Sequence, residues 1–247
     1  RAYAHIGTGN YHPGTAQLYT DLSLLTCDPR LTADVTLLFN ALTGHAPGAH
    51  YDRLLVAPDH MRTRFNDLID RECELAKAGK PARIWAKMNQ LQDDKIIERL
   101  YKASAAGVDI QLFIRGFCCL RPGVPGLSDN IRVVSTVGRF LEHSRIFHFS
   151  AGHERPEDGD WFFGSADWMV RNLDDRVEAT TPVDDPANKR AMAHILDVSS
   201  RDHRHAWDLH PDGRSVQRTP TGDPDSPEAL GVFETLMSEA SESPAGD

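Results

Sequence analysis

The sequence has 247 residues, 40% apolar and 26% charged, with a formal net charge of −9. That length allows one large domain or two small ones. No run of 18 apolar residues exists, which excludes a membrane-spanning helix, and the acidic balance excludes a general nucleic-acid surface.

In chain order, residues 3–6 and 17–25 ("QLYTDLSLL") read as strands. "TADVTLLFNALTG" reads as a helix over 32–44, with Thr32 as N-cap and Gly44 just past its end. "DRLLVAP" is a buried strand stopped by Pro58. "DHMRTRFNDLIDRECELAKAGK" is a helix ending at Gly79, and "ARIWAKM" a strand. "DDKIIERLYKASAAG" is a helix with Asp93 near its start and Gly107 after its end. "VDIQLFI" reads as a central strand leading to Arg115. Short strands follow in "IRVVS", "RIFHFS", "WFFGS" and "RVEATTPV", then a last helix in "DPANKRAMAHILDVSSR". Strands alternating with helices predict an α/β layered domain with a mixed sheet from residue 52 to about residue 200. From Pro211 onward the composition predicts a disordered tail, apart from a short helix near "EALGVFETLM".

The charge is uneven. Residues 211–247 hold eight acids and two arginines, a net −6, whereas residues 115–145 hold five arginines and two acids, a net +3. An Arg-only basic segment in an acidic chain points to a local anion site. The four cysteines form no C-x-x-C pair and suggest neither a zinc site nor a disulfide framework; buried thiols in a reducing compartment fit best. His203, His205 and His210 cluster without completing a metal set and read as surface histidines.

An internal repeat organises the chain. Gly7-Thr8-Gly9-Asn10 aligns with Gly164-Ser165-Ala166-Asp167 at an offset of 157 residues, which carries Asp21 onto Glu178 and Tyr19 onto Arg176. In the second half His143 and Arg145, two residues apart, are expected on one face of a strand before the Gly-Ser turn. The imidazole is expected near Arg115 and the Gly164–Asp167 turn. The same offset puts a counterpart of His143 at position −14. The chain is therefore expected to be a C-terminal piece whose first half lacks its leading strand. A His with a cation two residues on suits phosphoryl transfer: imidazole attacks phosphorus or carries the leaving group's proton, and guanidinium forks hold phosphate oxygens.

The strings "YAHIGTGNYHPGTAQLYTDLSLLT", "KMNQLQDDKIIERLYKASAAGV", "IRGFCCLRPGVPGLSDNIRV", "GRFLEHSRIFHF" and "GSADWMVRNLDDRVE" resemble the long-form polyphosphate kinases, built on two phospholipase-D-like domains. The resemblance runs from about residue 2 to 215. It implies an α/β phospholipase-D-like mixed sheet flanked by helices, preceded by the truncated end of a first homologous domain. Residues 1–48 would be the first-domain remnant, 49–210 the second catalytic domain, and 211–247 the acidic tail. The activity implied is reversible transfer of the ATP γ-phosphate to polyphosphate through a phosphohistidine.

Residue by residue, the resemblance matches His5 to the second His of the first domain, near the nucleophile. Tyr19 matches a nucleotide-contacting Tyr, and Arg115 an Arg that binds nucleotide phosphate. His143 matches the second-domain His of the transfer step, and Arg176 and Glu178 match polar residues beside it. The autophosphorylated His and the arginines associated with Mg²⁺ fall upstream of residue 1, so the isolated chain is expected to be inactive. The resemblance also implies ATP/ADP and polyphosphate as partners, no nucleic acid, a homo-oligomer at full length, and a cytoplasmic enzyme with peripheral membrane association left open. Arg145 stands where phospholipase D enzymes carry Lys, and Asp167 where their turn ends in Asn. Both favour the kinase over a phosphodiesterase or nuclease; a non-catalytic ATP- or polyphosphate-binding fragment is the other reading.

Overall fold

The computed structural model describes residues 1–45 and 48–242. Residues 46–47, at the expected domain boundary, and 243–247, the end of the acidic tail, lie outside the described residues.

The N-terminal part holds β1 (Ala4–Gly7), the short α1 (Pro13–Ala16), β2 (Tyr19–Thr20), β3 (Ser23–Thr26) and α2 (Pro29–Leu42). β1 and β3 pair antiparallel. The stretch 17–25, expected as one strand, breaks at Asp21–Leu22: the Leu22 N–H is taken by Thr8 Oγ1 at 3.0 Å, so the chain turns there. α2 begins three residues before its expected start. Asp28 is its N-cap and accepts from Arg30 N and Leu31 N at 2.8 and 3.1 Å, with Pro29 pre-set for the first helical position.

The rest of the chain runs β4 (Leu55–Ala57), α3 (Met61–Lys77), β5 (Arg83–Met88), α4 (Asp94–Ala105), β6 (Asp109–Ile114), β7 (Ile131–Thr136), β8 (Leu141–Glu142), β9 (Arg145–Phe149), β10 (Asp160–Gly164), β11 (Glu178–Val183), α5 (Pro186–Arg201), β12 (Ala206–Leu209), β13 (Ser215–Gln217), α6 (Pro227–Leu230) and α7 (Val232–Glu242). Asp93 and Asp185 cap α4 and α5 through Ile96 N and Asn188 N, both at 2.9 Å. Gly107 supplies the left-handed residue after α4, with φ of 100°.

Among the described residues nine strands form one sheet in the order β13-β12-β7-β6-β5-β9-β10-β11-β4. β5, β6 and β7 are parallel, and the pairings of β9, β10 and β11 are antiparallel. The period-two alternation of strand side chains separates two cores. Ile84, Met88, Ile110, Leu112, Phe147 and Phe149 pack with α3 and α4 on one face. Phe113, Val134, Ile146 and Trp161 pack with Met192 and Leu196 of α5 on the other, where Ile6, Leu22 and Leu24 of the N-terminal part also dock.

The tail differs from its expectation. Val232 and Phe233 bury against Val198 of α5 and, with Leu236, against Phe140. Phe233 lies where a Cβ on Gly138 would come within 2.2 Å of its ring. His205, expected at the surface, packs edge-on against Phe233 at 5.0 Å and meets Glu234 at 3.2 Å. A short helix is expected near this position, but a composition dominated by Asp, Pro and Ser gives no sign that three of its apolar residues dock.

Candidate active site

The register of the sheet gathers the polar residues at one end. Arg145 at the start of β9 lies opposite Gly164 at the end of β10, and Lys87 near the end of β5 lies opposite Ile146 and Phe113. Thus β5, β6 and β10 end, and β9 and β11 begin, on the same side. Ligands of α/β sheets gather at such carboxyl ends, where loops are free to present side chains.

His143 sits here, though not on a strand. It occupies the two-residue gap between β8 and β9, where the chain leaves its pairing with β2 and enters the main sheet. Its N–H donates to the Thr20 carbonyl at 3.1 Å. The imidazole stacks on Tyr19 with centroids 4.8 Å apart and an interplanar angle of 27°. Its Nδ1 lies 2.7 Å from Asp21 Oδ1. Burial opposes ionisation of Asp21, but the hydrogen bonds from His143 and Thr8 and the charges of His143 and Arg145 outweigh it and hold the carboxyl below its ordinary value. An ionised carboxylate only accepts, so Nδ1 carries the proton it donates. Whenever the ring is neutral, the lone pair is therefore on Nε2.

The strand start is held rigidly from beneath. Lys87, on the otherwise apolar β5, is 4% exposed and reaches Glu142 Oε2 at 2.8 Å and Ser144 Oγ at 2.7 Å, the residues flanking His143. Arg115 Nη1 donates to the Glu142 carbonyl at 3.2 Å. The Asn89 amide, oriented to satisfy both ends, donates to the same carbonyl at 3.1 Å and accepts from Arg145. Arg145 Nε donates to Asp167 Oδ1 at 3.1 Å, and Arg145 Nη1 to the His143 carbonyl at 2.6 Å.

The repeat is visible as contacts. Thr8 Oγ1 donates to Asp21 Oδ1 at 2.7 Å, and Ser165 Oγ donates to Glu178 Oε2. Thr8 N donates to the Leu22 carbonyl at 2.9 Å, and Ser165 N to the Ala179 carbonyl at 3.1 Å. Leu22 N and Ala179 N donate to the same two hydroxyls at 3.0 and 3.3 Å. Each hydroxyl of a Gly-hydroxyl turn thus positions a carboxylate at the offset read from the sequence. A Cβ on Gly9 would lie 2.5 Å from Asp21 Oδ2, and one on Gly164 2.3 Å from the Ala179 carbonyl, so both glycines permit the close approach.

The structure therefore brings together Tyr19 and His143 by direct ring contact, and places Arg115 against the backbone of the residue before His143. The ring contacts of His143 are Tyr19 and Asp21; Arg115 and the Gly164–Asp167 turn reach it through Glu142 and Arg145 instead. Glu178 is 9% exposed and bound by Ser165 and Asn172, with Arg176 3.6 Å away on the rim. His5 stands apart, exposed on β1, its Nδ1 on the Tyr11 hydroxyl. Asp21, Lys87, Asn89 and Glu142 escaped the sequence reading as site residues. Two had a signal: Asp21 aligns with Glu178 in the repeat, and Lys87 is a charge inside an apolar strand.

The chain's relatives are consistent in kind. Residues 1–47 match the family described as Polyphosphate kinase C-terminal domain 1, and residues 54–227 match Polyphosphate kinase C-terminal domain 2. A polyphosphate kinase of Thermosynechococcus vestitus is 56% identical over 220 residues, covering 89% of this chain and 30% of that protein. One from Pseudomonas putida is 51% identical over the same shares. The crystal structure of polyphosphate kinase from Porphyromonas gingivalis superposes with a TM-score of 0.87 at 38% identity, covering 97% of this chain and 36% of that one. The chain spans about 30% of the length of the curated relatives it matches.

Proposed function

The chain belongs to the polyphosphate kinase family, and from that premise we propose that it supplies the second-domain half of the site that moves the terminal phosphate of ATP to and from polyphosphate. The observation that carries this reading is the contact of His143 with Asp21 and Tyr19, which joins two segments of opposite halves at one imidazole. The division near residue 48 into a first-domain remnant and a second catalytic domain is part of the same reading.

In the reaction read from the resemblance, the bond between the γ-phosphorus and the ADP oxygen breaks as one to a histidine nitrogen upstream forms. That P–N bond then breaks as a terminal oxygen of polyphosphate attacks. His143 Nε2 takes up or returns the proton at the oxygen that attacks or leaves. Arg115, one of whose nitrogens is anchored on the Glu142 carbonyl, turns its remaining donors to nucleotide phosphate. Tyr19 stacks beside the same ring and offers an aromatic face to the nucleotide. Arg176 and Glu178 border the site from the second Gly-Ser turn, and His5 serves the first-domain side.

Among the described residues no three His, Cys, Asp or Glu side chains converge. These residues do not by themselves form a cage for Mg²⁺. The test is a protein of the relatives' full length carrying these residues. His143→Ala should abolish ATP-dependent polyphosphate synthesis while circular dichroism stays unchanged; retained synthesis would refute the assignment.

A further inference from the structure

A second polar cleft, of about 420 Å³, opens at the other end of the same sheet. It lies beyond Val183 at the end of β11, whereas Glu178 at the start of that strand borders the His143 end. Five steps of a strand separate the two by roughly 17 Å. The cleft is lined from three directions: by Tyr51 and Arg53 of the segment before β4, by Arg64 and Arg71 of α3, and by Lys189 of α5.

Its lining carries four cations, Arg53, Arg64, Arg71 and Lys189, against three carboxylates, Asp52, Asp160 and Asp184, and several donors are unspent. Tyr51 is 4% exposed, and among the described residues its buried hydroxyl has no hydrogen-bond partner. Burial and the nearby charges of Asp59 and Asp34 push its ionisation up, so the phenol remains a donor. The ring is fixed by stacking on His60 at 5.9 Å and 12°. Arg71 gives Nη1 to Asp160 at 2.6 Å and Nη2 to Glu72 at 3.1 Å, but among the described residues its buried Nε has no partner. Lys189 Nζ donates to a carbonyl, that of Gly159, at 2.9 Å. Among the described residues neither Lys189 nor Arg64 has a carboxylate within ion-pair reach. Two of the acids at the cleft are already engaged, Asp184 by Arg53 and Asp160 by Arg71.

A buried orphan hydroxyl costs free energy unless something occupies it. Here it shares a wall with an orphan guanidinium nitrogen and with Arg64 and Lys189, which have no carboxylate within ion-pair reach among the described residues. The complement of that set is a multivalent oxyanion, which only accepts. We infer that this cleft is a second anion site, taking a short phosphate-bearing anion in contact with Tyr51, Arg64, Arg71 and Lys189. The volume exceeds a single phosphate and suits an oligophosphate or a nucleoside phosphate, which share that chemistry. The inference does not depend on the catalytic reading, because the two sites have no residue in common.

Titration of the 247-residue chain with tripolyphosphate and, separately, with ADP, followed by amide NMR, tests it. Tripolyphosphate should shift the amides of residues 51–55 and the indole of Trp161. Arg64→Gln with Lys189→Gln should weaken that binding about tenfold or more. Tyr51→Phe keeps the packed ring and should weaken it about tenfold without lowering the unfolding temperature. Arg115→Gln should leave these shifts intact. A nucleoside phosphate as natural occupant would show as tighter binding of ADP than of tripolyphosphate, a free oligophosphate as the reverse. Absence of shifts at these positions with either probe, or shifts of the same strength in the double variant, would overturn the inference.

Discussion

The imidazole of His143 and the carboxylate of Asp21, 122 residues apart in the chain, meet at 2.7 Å. Their side chains are 14% and 24% exposed, so solvent screens the pair only partly. The contact fixes the tautomer, with the proton on Nδ1 and the lone pair on Nε2. Asp21→Asn keeps the shape but can present an N–H to the ring and reverse that preference. In ¹⁵N spectra of the chain, the ring nitrogens of His143 should move from the Nδ1–H form toward a mixture. In a protein of the relatives' full length, phosphoryl transfer should fall about 10²-fold or more, the order seen when general acid–base function is lost. An unchanged tautomer in Asp21→Asn would show that the ring is oriented by the Tyr19 stack alone.

Gly9 gives an independent route to the same effect. A Cβ there would lie 2.5 Å from Asp21 Oδ2 and 2.7 Å from Cγ, so Gly9→Ala must displace the carboxylate. It should reproduce the His143 ring shifts of Asp21→Asn although the carboxylate is still present. Thr8→Val, which removes the other donor to Asp21, should cost about 1.5–3 kcal/mol in urea unfolding, as for a hydrogen bond to a charged group.

What the sequence could reveal depended on how local the cause was. The bounds of α4 follow from Asp93 and Gly107, a cap and a left-handed terminator adjacent to the helix, and both were readable. The break between β2 and β3 was not, because it is imposed by the Thr8 hydroxyl and reinforced by His143, both distant in sequence. For the same reason His143 reads as a strand residue in isolation yet sits where the chain changes pairing partners. Lys87 showed its anomaly, a charge within "ARIWAKM", but its partners Glu142 and Ser144 lie more than fifty residues on. The hydroxyl-to-carboxylate pattern was readable in outline because it occurs twice.

The C-terminal helix, expected as a short helix in an otherwise disordered tail, packs onto the sheet-and-helix body. Phe233 is 3% exposed and packs among Val198, Val232, Phe140 and Leu236. Phe233→Ala should destabilise the chain by about 3 kcal/mol in denaturant melts. Nucleotide binding should be unaffected once the protein is folded. A change below about 0.5 kcal/mol would mean the helix contributes nothing to the fold.

His148 sets an acid limit on stability. It is fully buried between Trp85 and Trp161, with centroids 5.2 and 4.3 Å away; among the described residues neither ring nitrogen makes a hydrogen bond of good geometry, and the Asp160 backbone favours its ionisation only weakly. Burial, with the charge of Arg83 adding to it, pushes its ionisation down to about 3. The unfolded chain takes up the proton near its ordinary value of about 6.5, so between these values the unfolded state binds more protons. Stability is then full above pH ~6.5 and falls toward pH ~3, by at most about 1.4 kcal/mol per pH unit from this group. His148→Phe should flatten the slope of unfolding free energy between pH 6 and 4. An unaltered slope would place the acid sensitivity in other groups.

Arg115 tests whether the anion site of the folded core works through shape or charge. It follows the last residue of β6, and its Nη1 is anchored on the Glu142 carbonyl at 3.2 Å. In the proposed site that anchor restricts the guanidinium and leaves its other nitrogens to serve as a fork for phosphate. Lysine keeps the charge but cannot hold the carbonyl and two phosphate oxygens in one plane. Arg115→Lys should therefore weaken nucleotide binding about tenfold or more, matching the loss of one charge-assisted hydrogen bond of about 1.5–3 kcal/mol. The measurement is a titration with fluorescent ADP at fixed ionic strength. Raising the salt should weaken the wild-type chain and the variant in parallel, because the charge is common to both. If Arg115→Lys bound nucleotide as well as the wild type, the arginine would serve only to brace the segment before His143. The phosphate fork would then have to come from other residues.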